Sequence, residues 1–331
     1  MNTIGVDVDS TNLVCQIHRH GKPFPMATFT NDPLGHRRFI KWATKRQQPA
    51  RVCMEATGVY SLMFSLTLHT ADLIEVMVVN PKTIKHFATA TLQRGKTDAL
   101  DAAVILEYLE RMPFQLWQPP ADEILEIQHI TRRVVQLTAD LTRERNRHKT
   151  AKRLGAIGQV VANDTAVTMR HLERRIKQME QASLALIESI PELSQQLELI
   201  TTTTGIAKRT GSRILIELAC LPEGMTAAQW VAYSGLDPRP YESGSSTCKP
   251  RRISKAGNRY LRNALFYPAM VASQHDKHVN AFYEHLLEKG KKPKQAIVAI
   301  MRKLLLAIWG MLKHGQPWDG NKFYQLSENT A

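Results

Sequence analysis

The sequence predicts an α/β unit followed by a largely helical remainder, and three observations carry that prediction. Short β-rich runs alternate with helical stretches as far as residue 112. The hydrophobic period then switches to steps of three and four between residues 122 and 200, and apolar-faced helices fill most of the rest. A chain of 331 residues is too long for one ordinary core, so two or three structural units are expected.

The first unit opens on TIGVDVDS, LVCQIHR and PMATFTN, three short β-rich runs split by the turn formers Ser10, Asn12, Gly21, Lys22 and Pro23. They read as an antiparallel meander. A helix over 32–45, a buried strand RVCME, a helix over 59–70 and the apolar strand LIEVMVV follow, with Asn80 and Pro81 read as the end of that strand. A last helix starts near Thr97. The order β-β-β-α-β-α-β-α is that of the ribonuclease H-like fold, in which the first strand, the fourth strand and the last helix converge on one edge.

Beyond residue 121, Ile127, Ile130, Val134, Leu137 and Leu141 form one apolar seam, and Met169, Leu172, Ile176, Met179, Leu186 and Ile190 form a second, interrupted by Ser183. Two long helices joined near Gly155 and Gly158 are expected. Arg143, Arg145, Arg147, Lys149, Lys152 and Arg153 on the first, and Arg170, Arg174, Arg175 and Lys177 on the second, read either as solvated faces or as a track for nucleic-acid backbone. The run ITTTTGIAKRTGSRILIELA has the form helix, tight glycine turn, helix, and resembles a helix-hairpin-helix.

Composition narrows the function. The net charge is +14, from 44 Lys and Arg against 30 Asp and Glu, which suits a polyanionic partner whose counterions are released on binding. Cys15, Cys53, Cys220 and Cys248 show no paired spacing, so neither a disulfide framework nor structural zinc is indicated. No stretch is read as apolar enough to cross a bilayer and no signal peptide is read at the N-terminus, so a cytoplasmic location without a membrane is expected.

Four carboxylates stand where the fold would gather them. Asp7 lies mid-strand among apolar neighbours, a costly place unless a cation or hydrogen bonds compensate it. Glu55 ends the next buried strand. Asp98 and Asp101 share one face of a helical first turn, although capping would account for Asp98 and the helix dipole for Asp101. Asp9 is set aside as pointing to the opposite face of the strand, which leaves Asp7. Such an acid set suits hard divalent cations, Mg²⁺ in particular, and paired ions can serve phosphodiester chemistry.

One further stretch, PYESGSSTCKPRRISKAGNRYLR, packs serines beside Gly244 ahead of a run of cations. Taken alone, a Ser/Gly/Pro loop reads as connective tissue. Together, however, IGVDVDS, CMEATGVY, VVNPKTIKHFA, GKTDALDAAV, TGIAKRTGSRIL, WVAYSGLDPRPYESGSS and RRISKAGNRYLRNALF resemble, nearly end to end and in order, the DEDD insertion-sequence transposases related to the Piv DNA invertase. The resemblance implies a RuvC-like domain over 1–118, a coiled-coil linker over 119–198 and a C-terminal transposase domain over 199–331. It implies metal ligation by Asp7, Glu55, Asp98 and Asp101, with Ser243 as nucleophile forming a phosphoserine link to DNA and Ser245 and Ser246 as substitutes. It also implies guidance by a structured noncoding bridge RNA that pairs with donor and target DNA, and dimers assembling to tetramers. Arg239, Lys249, Arg251, Arg252, Lys255, Arg259 and Arg262, with Lys208 and Arg209 at the hairpin, are expected to grip nucleic-acid phosphates. The chain departs from the family pattern at Asp9-Ser10, where a Ser-Lys pair is usual, and at Ala207, which replaces a hairpin glycine.

Three rivals remain. A resolvase-type nuclease would use metal alone and make no covalent adduct. A sugar kinase of actin-like topology would need glycines after its strand aspartate, and VDVDSTN has none. A noncatalytic adaptor would leave Asp7 and Glu55 without a purpose.

Overall fold

The structure is a computed structural model that describes residues 1–92, 95, 97–239 and 252–326, together with the backbone of 242–243 and 247–248. The chain divides into two compact units, Met1–Pro119 and Pro120–Ala331. The first is mixed α/β around a mixed sheet and the second is largely helical, an architecture compatible with a ribonuclease H-like domain joined to a helical one.

In the first unit β1 (Asn2–Val8), β2 (Asn12–Arg19) and β3 (Lys22–Thr30) form the expected antiparallel meander. Helix α1 (Pro33–Ala43) starts on Asp32, whose carboxylate accepts from the Leu34 and Gly35 amides. Strand β4 (Ala50–Glu55), helix α2 (Val59–His69) and strand β5 (Ile74–Val79) then complete a sheet of order β3-β2-β1-β4-β5, with β1, β4 and β5 parallel. Next comes an unexpected helix, α3 (Pro81–Ala90). Asn80 and Pro81 do end the strand, but they also begin this helix. The Asn80 side chain accepts from Lys82 N at 2.9 Å, and proline suits the first helical position because its missing N–H has no partner to lose there. Helix α4 (Asp98–Arg111) ends the unit's regular structure.

Pleating sorts the side chains of β1 onto two faces. Ile4, Val6 and Val8 pack in one cluster with Phe39 and Phe64 of α1 and α2. Gly5 lies on the other face, directly under α4. A Cβ at Gly5 would stand 2.3 Å from both Ala102 O and Leu106 N. Absence of a side chain lets the helix axis approach the strand, and that approach carries the first turn of α4 toward the C-terminal end of β1. We expect Gly5→Ala to destabilise this unit by about 1–3 kcal/mol through overpacking against backbone, read as a lower midpoint in chemical denaturation. An unchanged midpoint would show that the contact yields freely.

The second unit begins with α5 (Asp122–Arg153) and α6 (Gln159–Ser189), joined by a tight 3₁₀ turn at Gly155–Gly158. Val134, Leu137, Leu141 and Ile176 form their seam, with Met169, Leu172 and Met179 packed on it. Ile190 proves to be outside the second long helix, because Pro191 opens a separate helix, α7 (Pro191–Thr201). Helices α8 (Lys208–Ala219) and α9 (Ala227–Ser234) follow. The turn before α8 runs through Gly205 at φ 88°, and Ala207 serves as the N-cap of α8. Short strands β6 (Pro238–Arg239), β7 (Glu242–Ser243), β8 (Thr247–Cys248) and β9 (Arg252–Ile253) lead to α10 (Arg259–His275), α11 (Lys277–Glu288), α12 (Pro293–His314) and α13 (Gly320–Phe323).

One expectation is corrected here. Among the described residues α12 is long and apolar enough, by length and composition, to cross a membrane. Its apolar residues have another use in this fold: Ile300, Leu304, Leu305 and Ile308 are fully buried in the core shared with α8 and α10.

Candidate active site

The carboxylates of the first unit are positioned by strand register and helix start. On adjacent parallel strands Gly5 pairs with Cys53. Two residues further along each strand, and therefore on the same face, come Asp7 and Glu55. Since Gly5 sits beneath Ala102 and Leu106, the preceding turn of α4, with Asp98 and Asp101, extends toward Asp7. Thr97 is the N-cap of α4 and its hydroxyl accepts from Leu100 N at 3.2 Å, so Asp98 is not the capping residue. At the other end of the same crossing Glu110 accepts from the Thr3 hydroxyl at 2.7 Å and meets His18 Nδ1 at 2.8 Å, which ties α4 to β1 and β2.

Electrostatics reports the convergence. The Asp7 carboxyl is pushed up to about 6, first by burial and then by the negative charges of Asp101 and Asp98, with a smaller contribution from Asp9. Like charges so placed disfavour ionisation of the carboxyl unless a cation offsets them. Among the described residues, no three His, Cys, Asp or Glu side chains already stand grouped as a metal site. Asp98 is exposed and Asp101 half-buried.

The expectation that strand alternation points Asp9 away from Asp7 is corrected here. Residues 7 and 9 would share a face in a continuous strand; instead β1 stops at Val8 and Asp9 turns into a tight loop. There its carboxylate accepts from Thr11 N and, at 2.7 Å, from Asn12 N. Those amide bonds hold its carboxyl below the usual range.

In the second unit Ser243 falls on β7, which pairs with β8 through Ser243 opposite Thr247. Its side chain lies outside the described residues, as do Gly244, Ser245, Ser246, Lys249 and Arg251. The base of the loop is defined by β6 and β9, where Arg239 pairs directly with Arg252. Both are exposed, and two cations opposite one another in a ladder repel, so this position suits an anion. Lys255 and Arg259 are also exposed; the Arg259 guanidinium lies 4.9 Å from the centre of the Tyr260 ring. Arg262 is engaged within the fold, its Nη1 donating to Ser234 O at 2.7 Å and Gly257 O at 3.0 Å. Lys208 pairs with Glu188 at 2.9 Å and Arg209 pairs with Glu180. Along the helical arm, Arg143 pairs with Asp140, Arg147 with Glu144 and Arg145 with Glu173, so part of its positive face is neutralised internally.

Sequence reasoning missed one polar centre. Glu217, in the apolar run ILIELA of α8, is 2% exposed. Both of its oxygens are held by Arg132 of α5 at 2.8 Å, and Asn258 Nδ2 donates to Oε2 at 2.6 Å. An acid on the apolar face of a helix was the available signal, but its partners lie far away in the sequence.

Comparison with known proteins matches the chain in two stretches. Residues 4–151 match a family described as Transposase, of the DEDD IS110 type, and residues 197–284 match the Transposase IS116/IS110/IS902 family. The chain belongs to the IS110 family of transposases. This IS110-family transposase is 29% identical over 323 residues to the pilin gene-inverting protein of Moraxella bovis, covering 96% of this chain and 97% of that one. The match to the same-named protein of Moraxella lacunata has the same identity and coverage. An insertion element IS110 protein of 43.6 kDa from Streptomyces coelicolor is 29% identical over 151 residues, 46% of this chain and 36% of that one. The transposase is thus a DNA transposase/recombinase whose DEDD class points to divalent-metal use.

Proposed function

We propose that this transposase cuts and rejoins DNA with a serine nucleophile, Ser243, and a carboxylate set, Asp7, Glu55, Asp98 and Asp101, that holds Mg²⁺. The observation that carries this reading is the raised Asp7 carboxyl among Asp98 and Asp101, an oxygen-donor set of concentrated negative charge. Divalent cations bound there would polarise the scissile phosphate and ease loss of the attacking hydroxyl's proton. Residues 1–118 act as the RuvC-like metal domain, 119–198 as the coiled-coil linker and 199–331 as the transposase domain. Donor and target DNA are brought in by a structured noncoding bridge RNA, and the protein works as a dimer assembling to a tetramer.

In the chemical step a bond forms between Ser243 Oγ and phosphorus as one phosphorus–oxygen bond to a sugar breaks. The serine proton is lost, and the departing sugar oxygen gains one to leave as a hydroxyl. The phosphoserine diester keeps the number of ester bonds constant, so a second sugar hydroxyl can rejoin the strand by reversing the step. Arg239, Lys249, Arg251, Arg252, Lys255 and Arg259 would hold flanking phosphates, and Arg262, Lys208 and Arg209 would contribute donors left over from their internal contacts. Purified protein incubated with its flanking noncoding RNA, matching DNAs and Mg²⁺ should yield DNA covalently joined to a Ser243 peptide by mass spectrometry, and omission of the RNA or of Mg²⁺ should abolish it. Cleaved DNA without any adduct would establish the metal-only, resolvase-type reaction instead.

A further inference from the structure

We propose that Glu217 and Asn258 are positioning residues that fix the base of the Ser243 loop against the helical arm, an inference that rests on the reading of Ser243 as nucleophile. The loop departs through β6 and returns through β9, and the returning leg is bonded to the end of α9 and to the segment that leaves it. Ser254 N donates to Asp237 O at 2.9 Å, Lys255 N to Gly235 O at 3.1 Å and Asn258 N to Tyr233 O at 2.7 Å. Lys255 takes a left-handed φ of 51°, a conformation unfavourable for a side-chain-bearing residue. Gly257 is pressed so closely on Tyr233 that a Cβ there would stand 2.1 Å from its carbonyl oxygen. The path is closely determined up to Asn258.

Asn258 joins this path to the rest of the unit. Its Oδ1 caps α10 by accepting from Tyr260 N at 2.9 Å and Leu261 N at 3.1 Å. Its Nδ2 donates to Glu217 Oε2 at 2.6 Å and to the Tyr233 hydroxyl at 3.0 Å. Glu217 in turn receives the two-pronged Arg132 contact from α5, and the Arg132 guanidinium lies 4.7 Å from the Tyr260 ring centre. A buried ion pair is a poor source of stability, since apolar residues of similar volume commonly serve as well. What this one supplies is direction: a satisfied buried network admits one arrangement of its members. Through it the arm helix α5, the core helix α8 and the last residue of the loop's return path share one register.

The test separates positioning from folding. Asn258→Ser keeps an oxygen able to cap α10 but removes both Nδ2 bonds. Single-turnover strand cleavage is measured on a supercoiled plasmid carrying the element's own ends, with the flanking noncoding transcript and Mg²⁺. The dissociation constant for the same DNA and the melting temperature are measured alongside. Cleavage should slow roughly 10- to 100-fold, the scale of a small misplacement of reacting groups, while affinity for DNA and melting temperature stay near those of the parent. Glu217→Gln should act in the same direction, and the double variant should be no slower than the slower single one. Parent-like cleavage by Asn258→Ser, or a loss that only tracks lost binding or lost folded protein, overturns the proposal. Ser243→Ala is run in parallel: if it cleaves normally the nucleophile reading falls, whereas an inert Ser243→Ala beside a fully active Asn258→Ser removes the positioning role alone.

Discussion

Asp7→Asn should cut recombination by roughly 10³-fold or more and, in metal-free buffer at pH 7.5, make the protein melt at a higher temperature. The two effects share one cause. In the folded chain the Asp7 carboxyl is raised to about 6 from an ordinary 3.8, because burial and the charges of Asp101 and Asp98 disfavour its ionised form. A raised acid binds its proton more tightly when folded than when unfolded. Its ionisation therefore lowers stability progressively as pH climbs from about 4 through about 6, and the whole of that loss is present at neutral pH. Asparagine removes the charge and the loss with it, so the melting temperature should rise by a few degrees and its slope between pH 4 and 6 should flatten. Mg²⁺ should stabilise the parent protein and leave the variant unmoved. Loss of a charged metal ligand removes several kcal/mol of transition-state stabilisation, which is roughly 10³-fold or more in recombination rate. Scanning calorimetry over the pH series with and without Mg²⁺, beside a plasmid recombination assay, checks both halves. A variant that recombines normally, or melts lower at pH 7.5 without metal, contradicts the assignment.

Ser243→Ala should leave DNA binding intact and reduce recombination by at least roughly 10³-fold, with no protein–DNA adduct on a denaturing gel. Removing a nucleophile eliminates the covalent route altogether, and what survives is only the catalysis available to positioning and charge. Ser245→Ala and Ser246→Ala should retain the adduct. Its disappearance in one of these, with Ser243→Ala still forming it, would move the nucleophile along the loop. Unlike Asp7→Asn, Ser243→Ala should leave the pH dependence of melting unchanged, because it alters no carboxylate of the first unit.

Most of the carboxylate region was legible in the sequence, since its logic is local. Asp7 mid-strand, Glu55 at a strand end, and Asp98 and Asp101 in one helical turn are placements set by periods of two and 3.6 residues. The error over Asp9 was one of period: residues two apart share a face of a strand, and what sets the Asp9 carboxylate apart is its bonds from the Thr11 and Asn12 amides beyond the end of β1. Helix α3 was missed for a related reason: Asn80-Pro81 is at once a strand terminator and a helix start, and only the chain beyond it distinguishes the two.

By itself the sequence determined the order of the strands in the first unit's sheet region, the elements on which Asp7, Glu55, Asp98 and Asp101 lie and the excess of positive charge, because each depends on near neighbours or on simple sums. Tertiary structure alone decided that Gly5 admits α4 at backbone contact, that Arg262 binds carbonyl groups of its own chain, and that Glu217 is buried against Arg132, 85 residues away. Burial and choice of partner are properties of surfaces brought together by folding. No window of sequence short enough to hold a period contains both sides of such a contact.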